Sequence, residues 1–170
     1  MGLDFIGEIH PTSIDQHRWI LTATYYFIKW VETISVKNST DTVFIKFIEE
    51  NILSRFGCPQ QIVTDNAHEF SSVKMIKFFQ KYHILLHHST PYYPQGNGME
   101  DSSNKSIVKV IKKVLADHER NWDSHLKYEV LANKILQKRA KVNSPFQLIY
   151  GTEAILPTQL AFPIMRFVQE

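Results

Sequence analysis

A single cysteine, Cys58, excludes an internal disulfide framework and any cysteine-paired zinc module. A reduced compartment is compatible with that usage. No apolar run approaches the roughly 20 residues of a membrane-spanning helix, and no signal-peptide pattern opens the chain. Internal repeats and low-complexity linkers are missing too. Nor is there a strong excess of one charge: 19 Lys and Arg against 17 Asp and Glu leave a formal net charge of +2. Composition therefore does not mark a nucleic-acid binder, and any such reading must rest on a local cluster. What remains is ordinary for a soluble globular protein, with 44% hydrophobic and 21% charged residues. A length of 170 residues predicts one domain with a substantial core.

The chemistry concentrates in one stretch, Ser89-Thr-Pro-Tyr-Tyr-Pro-Gln-Gly-Asn-Gly-Met-Glu-Asp-Ser-Ser-Asn-Lys-Ser106. Its first half cannot be helical, because Pro91 and Pro94 lack amide hydrogens and Gly96 and Gly98 are conformationally loose. From Asp101 a helix is expected. Apolar residues at 107, 110, 111 and 114 make one stripe, and Lys105, Lys109 and Lys112 share the face of Asp101. A loop thus delivers a carboxylate to a helix start with lysines ranked behind it, a grip suited to metal and phosphate together. Taken alone, Asp101 is as readily an N-cap. Two other acids change the weighing. Asp65 ends the short apolar run Gln61-Ile-Val-Thr, and Asp4 interrupts the apolar run Leu3-Asp-Phe-Ile, where a charge is costly unless paired or metal-bound. Between Asp65 and Asp101 lie 101 − 65 − 1 = 35 residues.

This ordered set resembles the D,D(35)E catalytic core of retroviral and Ty3/gypsy-type retrotransposon integrases, the plant gypsy-type versions above all. The residues that carry the resemblance are Gly-Leu-Asp4-Phe-Ile-Gly, Ile-Val-Thr-Asp65-Asn and Pro-Tyr-Tyr-Pro-Gln-Gly-Asn-Gly leading to position 101. Ser144-Pro-Phe-Gln-Leu-Ile-Tyr-Gly151 and Ile155-Leu-Pro157 are similar to the segment that follows the core in that family. Four positions depart from the pattern. The third acid, seven residues after Pro94, is Asp101 where the family has Glu, and Glu100 falls one residue early. Ala67 replaces the Gly of Thr-Asp-Asn-Gly, Tyr25 replaces an Asp, and Met1 stands at the usual Trp.

The resemblance implies that Asp4, Asp65 and Asp101 are catalytic and hold two Mg²⁺ or Mn²⁺ ions, hard cations suited to oxygen ligands. Such a pair activates a water or 3′-hydroxyl and stabilises the leaving oxygen of a phosphodiester. In the family this serves 3′-end processing and strand transfer, so the partners implied are element ends and target DNA. A homo-oligomer and a nuclear location are implied as well, and no membrane. Gln95 and Asn97 sit where the loop would approach DNA, with Asn104, Lys105, Lys109 and Lys112 as phosphate contacts. The bland alternatives are loop solvation and a solvated helix face. His87 and His88 are a poor match to an all-oxygen site. A competing reading is a catalytically inactive integrase remnant that keeps the fold and DNA binding. A different ribonuclease H-like nuclease is disfavoured by the Pro-Gln-x-Asn-Gly loop.

In chain order, strands are expected over 3–9, 18–26 and 30–36 as an antiparallel meander, then a helix started by the cluster at 38–41 with Val43, Phe44, Phe47, Ile48 and Ile52 inward. Gly57 and Pro59 stop it. A strand follows over 61–64, then a helix from Ser71 or Ser72 with Val73, Ile76, Phe79 and Tyr82 inward, a strand over 84–88, the helix after the loop, a helix over 122–138, and a short one capped by Ser144 and closed by Gly151. Pattern alone supports an α/β domain. The resemblance refines this to a ribonuclease H-like fold, a five-stranded mixed sheet flanked by helices. The core is expected over residues 1–151, with 152–170 an extended tail toward an absent downstream domain. The zinc module usual upstream is not expected either.

Overall fold

Runs rich in β-branched and aromatic residues form β1 (Gly2–Ile6), β2 (Trp19–Tyr25) and β3 (Trp30–Val36), and β2 is buried at five consecutive positions because both of its faces are covered. They pair as an antiparallel meander in which Asp4 lies opposite Thr22 and Thr22 opposite Thr33. On its other side β1 pairs in parallel with β4 (Gln61–Thr64), which pairs in parallel with β5 (Leu85–His88). The sheet order is β3-β2-β1-β4-β5, so the first strand is central. The structure, a computed structural model, describes residues 1–64, 68–88, 109–136 and 143–155, with only the backbone at 68 and 69.

One face of the sheet, through Leu3, Leu21, Ala23 and Ile62, packs on α1 (Asp41–Ile48) and α3 (Val73–Lys81). The other, through Ile6, Ile20 and Val31, packs on α4 (109–117) and α5 (Trp122–Ile135). A mixed sheet between two helical layers is the expected ribonuclease H-like arrangement.

The helix ends follow their local chemistry. Thr40 accepts the Val43 amide at 3.4 Å, Ser72 that of Met75 at 3.2 Å and Ser144 that of Gln147 at 3.1 Å. Pro145 starts α6 (Pro145–Tyr150), and Gly151 closes it at φ 71°. α1 runs through a π-helical turn, Glu49–Leu53, into the last turn α2 (Ser54–Phe56), which Gly57 ends at φ 78°. The π turn was not expected. Within it the Asn51 amide donates to the Phe47 carbonyl and the Ser54 hydroxyl to that of Glu50, side chains competing for carbonyls of the helical ladder.

Three expectations are corrected. β1 stops at Ile6 rather than residue 9, because Gly7 takes φ 154° and a Cβ there would lie 2.3 Å from the Trp19 ring. That ring stacks on Phe5 at 4.9 Å. In α3 the inward face is Met75, Phe78 and Phe79, while Val73 and Ile76 are 69% and 42% exposed. Two rings and a thioether chain remove more apolar area from water than Val and Ile, so the helix turns toward them. α5 ends at Ile135 rather than running on to Lys138, because Leu136 takes extended backbone with ψ 133°; positions 137 and 138 lie outside the described residues.

Candidate active site

Asp4 sits in the middle of the central strand, half-buried. Alternation along β1 puts it on the face of Ile6, the face covered by α4 and α5. Its cross-strand neighbour Thr22 is fully buried and donates its hydroxyl to the Asp4 carbonyl at 3.4 Å. The parallel ladder places Leu3 opposite Thr64, so the end of β4 lies beside Asp4. Thr64 is buried and its hydroxyl lies 3.3 Å from Nδ1 of His88 on β5. His87 and His88 are exposed.

Of the other expected site residues, Lys109 and Lys112 are described, both exposed on α4 while Ile111 and Val114 of the same helix are buried in the core. The lysine face therefore points to solvent, as its spacing predicts. Lys113 beside them lies 3.7 Å from Glu129 of α5. Asp65, Asp101, Gln95, Asn97, Asn104 and Lys105 lie outside the described residues.

Two charge clusters escaped the sequence reading. Glu32 on β3 is only 5% exposed and accepts from Trp30 Nε1 at 2.8 Å, Arg55 at 2.8 Å and Lys134 Nζ at 3.0 Å. Lys134 Nζ also lies 4.5 Å from the Trp30 ring centre. Burial pulls the Lys134 ammonium below its ordinary range, against the opposing pull of Glu32. The neighbouring Tyr25 phenol is pushed up to about 12, by burial first and by Glu32 second. This cluster fixes α5 to β3, and α5 covers the Asp4 face. Its signal was an acid inside an apolar strand, the same signal that picked out Asp4.

The second cluster joins the β1–β2 connection to α5. His17 Nδ1 lies 2.6 Å from Asp123 Oδ2, and Asp15 brings a carboxylate so that the three ligand-type atoms fall within 4.8 Å of one another. Buried Ser13 accepts the His17 amide at 3.0 Å, and Asp123 Oδ1 accepts the Ser124 amide at 2.9 Å. Burial pushes the Asp123 carboxyl up, but hydrogen bonds from His17, Ser13 and Ser124 and the His17 charge outweigh it and hold the group below its ordinary value. An open cleft of about 370 Å³ adjoins these residues, lined also by Ile34, Ser35 and Lys127. In sequence, Asp-Gln-His reads as plain loop polarity, and the 106-residue separation hides its partner.

Comparison with known proteins agrees with this geometry. The chain is similar to the Transposon Tf2-3 and Tf2-4 polyproteins of Schizosaccharomyces pombe, 26% identical over 161 residues, which is 94% of this chain and 12% of each relative. It thus spans about an eighth of the polyproteins it matches. A crystal structure of the catalytic core domain of BIV integrase superposes with a TM-score of 0.64 at 15% identity, covering 86% of this chain and 91% of that one. That likeness bears out the ribonuclease H-like fold. Residues 3–94, more than half of the chain, match the Integrase core domain family. The resemblance to retrotransposon and retroviral integrase cores is borne out, and the chain belongs to the integrase core domain family.

Proposed function

We propose that this chain is the catalytic core of a retrotransposon integrase, cutting and joining phosphodiesters of DNA with Asp4, Asp65 and Asp101. The observation that carries the reading is the parallel register of β1 and β4, with Leu3 opposite Thr64. Adjacent strands lie about 4.8 Å apart and consecutive Cα atoms about 3.8 Å. Thr64, the residue before Asp65 in sequence, therefore lies beside the strand that carries Asp4. A carboxylate in the middle of β1 and one that follows β4 in sequence suit a shared hard cation, and integrase cores are generally divalent-metal dependent. Mg²⁺ or Mn²⁺, when bound, would supply activation of the attacking oxygen and charge stabilisation at the leaving one. The protein's own part is to hold the acids on a rigid sheet. Thr22 fixes the Asp4 backbone, and the Glu32 cluster holds the α5 layer in place.

DNA is the partner in this reading. Lys109 and Lys112 offer exposed charge on α4, and Lys105, Asn104, Gln95 and Asn97, which precede them in sequence, are the further contacts of this reading. A homo-oligomer and a nuclear site of action belong to the same reading, as does a division into a core over 1–151 and a tail over 152–170. Asp101, one methylene shorter than Glu, favours a second reading, an inactive core that still binds DNA. Joining of labelled oligonucleotides in Mg²⁺ or Mn²⁺ decides between them. Activity that is lost in Asp4→Asn, Asp65→Asn and Asp101→Asn supports catalysis. An inert parent that still binds the oligonucleotides supports the second reading, and activity that survives all three substitutions refutes the assignment.

A further inference from the structure

We propose that Asp15, His17 and Asp123 form a binding site for a transition-metal ion of the Zn²⁺ type, which pins the β1–β2 connection to the start of α5. The site shares no residue with the three acids assigned to catalysis. Its ligand atoms lie within 4.8 Å of one another. A tetrahedral ion with nitrogen and oxygen ligands at 2.0–2.2 Å needs them about 3.3–3.6 Å apart. The His17–Asp123 contact at 2.6 Å would open by under about 1 Å, and the exposed Asp15 side chain is free to swing in by the remainder.

A hydrogen-bonded latch accounts for His17 and Asp123 alone. It does not account for Asp15, which brings a second negative charge close to a carboxylate that is already largely buried. The imidazole can offset at most one of those charges, whereas a divalent cation balances both. The imidazole makes the set a match for Zn²⁺ rather than Mg²⁺, which prefers oxygen ligands throughout. The cleft of about 370 Å³ on the open side, with the Ser35 and Ser124 side chains at its wall, has room for a water as fourth ligand. Lys127 also lines the cleft, and its ammonium lies 5.1 Å from the Tyr128 ring centre.

The test is thermal melting of the tag-free full chain during titration with Zn²⁺, with Mg²⁺ in parallel. Zn²⁺ is expected to raise the melting temperature saturably in the parent, in Asp4→Asn and in the double variant His87→Gln/His88→Gln. Asp15→Asn, an exposed substitution that leaves the His17–Asp123 pair in place, is expected to require at least tenfold more Zn²⁺ for the same shift, as is His17→Gln. Absence of a saturable Zn²⁺ response in the parent overturns the proposal. So does a response in Asp15→Asn equal to that of the parent. A response lost in Asp4→Asn but kept in Asp15→Asn would assign the ion to the proposed active site and equally overturn it.

Discussion

Replacing Glu32 by Gln removes one charge and almost no volume from the cluster that holds α5 to β3. Lys134 is the partner that suffers, since its side chain is 13% exposed and its ammonium lies 3.0 Å from the carboxylate. Arg55, at 40% exposure, recovers its loss largely from water. Trp30 keeps an acceptor, because the Gln carbonyl oxygen can take its N–H bond. The penalty is thus that of one buried charge left without its partner, about 3–5 kcal/mol. In a chain of this size each kcal/mol moves the midpoint by about 2–4 °C, so the lower bound alone gives a fall of about 6–12 °C. Thermal and urea denaturation of Glu32→Gln, Lys134→Met and the double variant provide the assay. The double variant should recover most of the loss, because removing both partners of a buried pair is close to neutral. A single Glu32→Gln that melts within 2 °C of the parent, by the ~2 °C per kcal/mol scale, would refute the argument. So would a double variant whose loss is the sum of the singles.

Asp101→Glu is expected to raise Mg²⁺-dependent joining of oligonucleotides, since Asp falls short of Glu by about one C–C bond, near 1.5 Å, against a ligand tolerance of about 0.2 Å; a slower variant beside an active parent would count against Asp101 as the third ligand. Alanine at Lys105, Lys109 and Lys112 should weaken DNA binding and flatten its dependence on salt, by up to about 0.9 in log–log slope for each phosphate left without its lysine. Sequence preference should stay unchanged, and an unaltered slope would make the face merely solvated. Asp123→Asn should destabilise the chain at neutral pH. The folded Asp123 carboxyl is held below its ordinary 3.8, so its stabilisation is fully present above that value and is lost as pH falls through the lower folded value. The difference in melting temperature between parent and variant should therefore narrow only in strong acid, and a difference that narrows already near pH 6 would exclude this origin.

Features set by residues within four positions of one another were readable from the sequence. Thr40, Ser72 and Ser144 cap their helices because an N-cap needs only a hydroxyl and an amide three residues on. Asp4 stood out because an acid in an apolar strand needs a reason, and the meander followed from strand propensity and short connections. The α3 face was misread because counting apolar positions gives Val73 the weight of Phe78, whereas packing weighs area. Glu32 obeyed the rule that singled out Asp4, but Arg55 and Lys134 lie 23 and 102 residues away, and no local pattern joins them. Asp15, His17 and Asp123 are hidden for the same reason. The acids at 65 and 101 rest on spacing and motif alone, and both lie outside the described residues.

The central position of β1 has a consequence for the order of folding. Its antiparallel edge is matched by β2, about twenty residues downstream, whereas its parallel edge waits for Thr64, opposite Leu3. Loop-closure entropy makes the second pairing the slower of the two. During synthesis the β1–β3 meander can therefore stand with the Leu3 edge unpaired, a template for wrong partners until β4 docks. The crossover through α1 and α2 is the step that ends this exposure. Because the same docking brings Thr64 beside Leu3, the strand that carries Asp4 acquires its parallel neighbour only when the sheet closes, and substitutions that slow the crossover should lower the yield of folded chain before they alter any property of the folded state.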